Sequence, residues 1–248
     1  MKKRLLILGM IFTMAVSSAG CGSSSSDNSG KADQSKQTAT VQDSQKDTSN
    51  DSKSDNDKKD TKYKSADEIT MDDLMSHDET PAEDFEFNDG ADEIVIQKYV
   101  GKDPIVVIPD EIDGKKVVGF ESAFTLNNNI VAVKIGNNVQ EVENSAFSGC
   151  KQLKYVVMGD SVKTIGGRMF AQTNLQELVL NDGLQKIGQD DSNNVLAPPS
   201  SNCGMDLKIP ESVTELHVSE FNLIGKSGSY AEQYANEHAD AGVTFTAE

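Results

Sequence analysis

Three segments of this chain are versions of one another, and that self-similarity limits the possible fold more than any other feature. "IVAVKIGNNVQEVENSAFSGCKQ" begins at Ile130, "LKYVVMGDSVKTIGGRMFAQTN" at Leu153 and "LQELVLNDGLQKIGQ" at Leu175, so the starts fall 23 and 22 residues apart. An earlier stretch from Ile105, "IVVIPDEIDGKKVVGFESAFTLNNN", fits with a rearranged middle, and a later one from Leu207, "LKIPESVTELHVSEF", fits after an insertion. A unit this short has no enclosed core of its own. Units must therefore stack, at about 4.8 Å per parallel strand, into a rod or arc of about five coils.

Within a unit the apolar positions recur at fixed offsets: Val133 and Ile135, then Val139, Val142 and Phe147, repeated as Val156 and Met158, Val162, Ile165 and Phe170. Two apolar residues separated by one make a strand with an inward face. A turn of the type Gly-Asn-Asn or Gly-Asp-Ser follows, and the remaining apolar residues line the opposite wall of the coil. The fourth unit departs from the pattern. It lacks Ala-Phe after Ile187 and carries the long loop "QDDSNNVLAPPSSNCGM" before the fifth.

The residues Ile130 to Leu153, with Ala146-Phe147 and Cys150, resemble the bacterial surface-antigen (BspA-like, or Treponema-type) leucine-rich repeat, whose pattern runs LxxVxIPxxVxxIGxxAFxxCxxL. The resemblance covers residues 85–248. It implies a β-rich solenoid, a short right-handed leucine-rich repeat array with an N-terminal β cap and a C-terminal helix-strand cap. "DFEFNDGADEIVIQKYVG" suits the first cap. For the second, Ser229 and Glu232 make a capping-box pattern ahead of "SYAEQYANEHA", and Gly242 turns the chain into a last strand, "VTFTA".

Upstream, residues 1–20 have the three parts of an export signal: basic Lys2, Lys3 and Arg4, an apolar run from Leu5 to Val16, and a small-residue exit. The apolar run is too short to span a bilayer as a helix. Ser18-Ala19-Gly20-Cys21 resembles a lipobox, in which Cys21 is lipidated and becomes the mature N-terminus. Ser18 stands where leucine is usual, and ordinary cleavage after Ala19 is the alternative. Residues 21–64 are polar, with eight aspartates balancing eight lysines. Such a segment buries too little to offset the entropy of ordering it, so it reads as a tether with ends about 35 to 40 Å apart. Residues 65–84 form an acidic lead-in with a short helix over Thr70 to Ser76, capped by Thr70 and ended by Pro81.

Charge narrows the partners. The chain carries 40 acidic against 23 basic residues, and three of the basic ones sit in the signal. Because the tether is neutral, the whole surplus falls on residues 65–248, which therefore repel nucleic acid and anionic membrane surfaces.

Candidate chemistry is sparse. A catalytic cysteine needs a neighbouring base, and His77, His217 and His238 all lie outside the coils beside Cys150. That cysteine reads as a small buried hydrophobe. A disulfide to Cys203, about two coils along, requires the loop to bend the pair within reach. Asp190, Asp191, Asn193 and Asn194 are oxygen donors whose spacing matches no EF-hand, so the loop reads as solvated and no metal or cofactor is expected. No nucleophile elbow, HExxH or phosphate loop occurs, which points away from an enzyme.

One surface stands out. The residues between and before the inward pairs place Ile105, Val107, Ala132, Tyr155, Val157 and Val179 on a face expected to meet water. Cross-strand pairing of β-branched residues accounts for such a face, and so does a docking patch. By family resemblance the chain is a surface-displayed, lipid-anchored binding module, adhesin-like, for a protein or glycan. An envelope scaffold is the alternative. A solute-binding lipoprotein fits less well, since the domain lacks two α/β lobes.

Overall fold

The computed structural model describes residues 63–120, 122–189 and 196–248, all within one compact unit, 57–248. The expected signal, most of the tether and Cys21 lie outside the described residues, as do Asp190, Asp191, Asn193 and Asn194. The chain enters through helix α1 (Met71–Met75), makes a single 3-10 turn at Ala82–Asp84 and forms an antiparallel hairpin of β1 (Phe85–Asp89) and β2 (Glu93–Tyr99). The first coil holds β3 (Ile105–Val107), β4 (Glu111–Ile112) and β5 (Lys115–Phe120). Each of the next three gives one strand to each of two walls: β6 (Ala132–Lys134) and β7 (Glu141–Val142), β8 (Tyr155–Val157) and β9 (Thr164–Ile165), β10 (Glu177–Val179) and β11 (Lys186–Ile187). The last stretch carries β12 (Met205–Lys208), β13 (Glu215–Leu216), β14 (Phe221–Gly225), helix α2 (Tyr230–Glu237) and β15 (Thr244–Ala247).

The front wall is a parallel ladder in the order β3-β6-β8-β10, with Ile105, Ala132, Tyr155 and Glu177 in one row. The back wall runs β7-β9-β11-β13, also parallel. Beyond β10 lies β12, which opens a further parallel sheet, β12-β14-β15. The solenoid has about six turns, against about five read from the repeat, and "FNLIG" forms β14, a rung outside the repeat's spacing. The rearranged middle of the first unit is a β4-β5 hairpin, turned by Asp113 and Gly114, both at positive φ, as a two-residue primed turn requires.

Between the walls the periodic positions pack as the spacing predicts. Val133, Ile135, Val139, Val142 and Phe147 are fully buried, and so are Val156, Val162, Ile165 and Phe170. The Ala-Phe position builds an aromatic column. Phe120, Phe124, Phe147 and Phe170 follow one another at centroid distances of 5.4, 5.5 and 6.4 Å, and Tyr99 joins Phe124 to the cap's Phe85. Each such pair contributes about 0.5 to 1.5 kcal/mol beyond the area it buries. Adjacent coils approach backbone to backbone at the corners. A Cβ on Gly159 would stand 2.3 Å from the Gly136 carbonyl oxygen, so this turn requires glycine.

Both helices form where the sequence places them, with different detail. Thr70 caps α1 by accepting from the Asp73 amide, and the Asp73 carboxylate answers to the Thr70 amide at 3.0 Å, a reciprocal capping box. The helix stops at Ser76, whose hydroxyl donates to the Asp72 carbonyl, five residues before Pro81. Pro81 instead begins the 3-10 turn. At α2, Ser229 accepts from the Glu232 amide as expected, but the Glu232 carboxylate takes its hydrogen bond from the Gly228 amide.

The lead-in folds onto the front ladder. Ile69 and Leu74 are buried against Ile105, Val107, Val131, Ala132 and Val157, in a cluster separate from the solenoid interior. Thr80 then binds the free edge of β3. Its amide donates to the Val107 carbonyl at 2.9 Å and its hydroxyl accepts from the Val107 amide at 3.0 Å. An unpaired strand edge invites aggregation, and here the lead-in occupies it.

Candidate interaction face

The front ladder presents one side chain row inward and two outward. The outward rows begin at Ile105 and Val107 on β3 and continue through Ala132 and Lys134, Tyr155 and Val157, Glu177 and Val179. Parallel strands in exact register place these residues in straight files about 4.8 Å apart. The six predicted face residues are therefore brought together, as the repeat offsets imply.

Their exposure differs from expectation. Ile105, Val107, Ala132 and Val157 are buried, none more than 7% exposed, because α1 and the residues before it lie across them. The repeat says nothing of this cover, since Ile69 and Leu74 occur once and lie far from their partners in the chain. Tyr155 is half-buried at the rim, its hydroxyl 3.3 Å from Gln176 Oε1, and Val179 is 39% exposed. The face thus has two halves. The half nearer the N-terminus is apolar and covered by the chain itself.

The other half is open and polar. Asn222 Nδ2 donates to Asp206 Oδ1 at 2.7 Å, and the hydroxyls of Thr244 and Thr246 donate to Asn222 Oδ1 at 3.0 and 3.2 Å. Lys208 pairs with Glu248 at 2.7 Å. These bonds tie one rung to the next across the outer surface.

Sequence reasoning also missed Lys154. Its ammonium donates to the Ala66 carbonyl at 2.9 Å and to Asp67 Oδ1 at 3.2 Å, with its side chain only 10% exposed. It fastens the start of the lead-in to the ladder. An open cavity of about 470 Å³ lies beside this contact, lined among others by Tyr63, Lys64, Lys102, Asn128, Asn129 and Gln152.

The two described cysteines are free thiols. Cys150 is fully buried with Sγ 2.8 Å from the Phe124 carbonyl oxygen, and burial pushes its thiol up to about 11. Cys203 is exposed, and the hydrogen bond to the Glu220 carboxylate raises its thiol above the ordinary value. Neither is poised as a thiolate nucleophile. The histidines serve other contacts. His77 lies 3.4 Å from Asp103, His217 lies 3.1 Å from Glu215, and His238 stacks on Tyr234. Among the described residues no group of three or more His, Cys, Asp or Glu is arranged to hold a metal.

Residues 120–195 match the family model described as BspA type leucine rich repeat region, in six copies. A solved leucine rich repeat protein of T. pallidum is 29% identical over 59% of this chain and 71% of its own, with a TM-score of 0.49. No curated protein matches the chain.

Proposed function

We propose that this chain, whose residues 120–195 are a BspA-type leucine-rich repeat region, is a non-enzymatic binding module held outside a bacterial cell by a lipid on Cys21 and engaging a protein or glycan through the front ladder. The observation that carries this reading is the file of outward side chains that parallel stacking builds, covered by the lead-in near β3 and open from β10 onward. A solenoid of this kind offers an extended surface in place of a cleft. The lipobox-like run at Cys21 and the export signal support the anchor, and the surplus of acid steers the choice away from nucleic acid.

Its partner is sought by capture from host matrix and from the bacterial envelope, with the chain immobilised. Val179→Glu, on the uncovered part of the face, and Tyr155→Ser, at its rim, should abolish capture of the specific partner. Unchanged capture would show that binding lies elsewhere.

The tether favours a second reading, an envelope scaffold that binds a neighbouring membrane or wall protein. If residues 21–64 behave as the random coil their composition suggests, their root-mean-square span is about 35 to 40 Å. Antibody labelling of intact cells separates the two. Strong labelling supports the adhesin, and labelling only after wall removal supports the scaffold. Anchoring itself is tested by Cys21→Ser, which should release the protein from the membrane fraction.

A further inference from the structure

The outer face of the ladder is most apolar where the lead-in covers it. Under α1 the outward residues are Ile105, Val107, Ala132 and Val157, with Lys134 between Val107 and Val157, whereas beyond it Val179 stands among Glu177, Asp206 and Lys208. A rung that faced only water would need no such change. The covered half therefore has the composition of a binding site whose occupant is supplied by the same chain.

We infer that residues 63–80 are an intrachain ligand that closes the apolar half of the ladder face, and that this half accepts, in their place, an acidic segment with a short capped helix from a partner protein. The inference rests on the reading of the ladder as the binding surface and names the partner's chemistry.

Three observations support it. The occupant is seated as a ligand, through two apolar plugs, Ile69 and Leu74, whose cluster is separate from the solenoid interior. Its departure therefore leaves the aromatic column and both walls packed. The helix is five residues long, too short to persist alone in water, so its order depends on the face it lies on. Charge is complementary as well. Lys154, nearly buried, donates to Asp67 and to the Ala66 carbonyl, while Glu68 accepts from Ser65 and Asp73 from Lys64 and Thr70 inside the segment. A competing segment needs an acid to meet Lys154, an apolar residue just before a helix cap, as Ile69 is, and another in the first turn beyond it, as Leu74 is.

The full-length chain and a fluorescent peptide of residues 63–80 test this by anisotropy. Leu74→Glu in the chain opens the face, and the peptide should then bind at least tenfold more tightly than to the unaltered chain. A peptide carrying the same Leu74→Glu change should not bind, and adding Lys154→Ala to the opened chain should weaken binding. Should Leu74→Glu fail to fold, Ile69→Ser in the chain takes its place. No gain in peptide binding by an opened chain whose repeat amides keep their hydrogen-exchange protection would overturn the inference. This assay reads the covered half alone, while capture with Val179 altered reads the open half, so failure of either is seen separately.

Discussion

The two sides of the front ladder are made from alternate residues of the same strands, yet they are stabilised in different ways. Inward, Val106, Val133, Val156 and Leu178 pack against the facing wall and against the same position one coil away. Outward, Ile105, Val107, Ala132 and Val157 are buried by a single strap that appears once in the chain. The inner side is held by a repeated interaction, and losing any one coil's share disturbs its neighbours. The outer side is held by an interaction made once, in a cluster separate from the solenoid interior. Stability in such a molecule should be uneven, with the strap opening below the global unfolding free energy.

The largest expected effect tests the inner side. Phe147 is fully buried and touches the rings of Phe120, Phe124 and Phe170. Phe147→Ala should cost about 3 to 5 kcal/mol in denaturant unfolding. A loss under about 1 kcal/mol would mean the column is not a shared core.

Leu74→Ala probes the outer side. It should lower the free energy of opening the strap by about 2 to 3 kcal/mol, read by exchange at strap amides, while the amides of Ile135 and Met158 keep their protection. Equal loss at both sites would erase the distinction between the two sides.

Gly159→Ala sharpens the account of stacking. Its Cβ would meet the Gly136 carbonyl, and backbone cannot yield as a side chain does, so about 1 to 3 kcal/mol should be lost. A neutral result would show that the coils separate more easily than their contact suggests.

The smallest effect is electrostatic. Lys64, followed by the Thr70 amide and hydroxyl, holds the Asp73 carboxyl down at about 2. A carboxylate depressed on folding contributes stability that is full above its unfolded value near 4 and is lost as pH falls towards 2. Strap exchange should therefore be insensitive to this group between pH 7 and about 5, and should rise below about 4. Asp73→Asn should remove that response; a response of equal size in the variant would assign it to another group.

Much of this architecture was legible in the sequence, and the reason is periodicity. Val139, Val142 and Phe147 recur at set offsets because each coil poses the same packing problem, so the inward set, both walls and the burial of Cys150 could be read directly. The cap of α1 was legible as well, since Thr70 and Asp73 are near neighbours and their bonds are local. The docking of α1 was not. Ile69 and Leu74 form too short a run to define a face, and their partners begin some thirty residues later. For that reason Ile105, Val107, Ala132 and Val157 were expected in water. The rung at β14 escaped notice for a related reason. Phe221 and Leu223 follow β13 more closely than the repeat allows, and their burial depends on parallel pairing with β12 and β15. Leu196 likewise fills the interior after the long loop through a single bridge to Val218.

The central claim is that the lead-in is a separable cover on a self-standing solenoid. Residue-resolved native-state hydrogen exchange of the full-length chain tests it most directly, by comparing Leu74, Ser76, Thr80 and Val107, whose amides are bonded within or to the strap, with Ile135 and Met158 of the ladder. The account predicts that the first group exchanges through a local opening, with little dependence on denaturant, at a free energy well below that of the second. Exchange of both groups at one free energy, with one denaturant dependence, would contradict it.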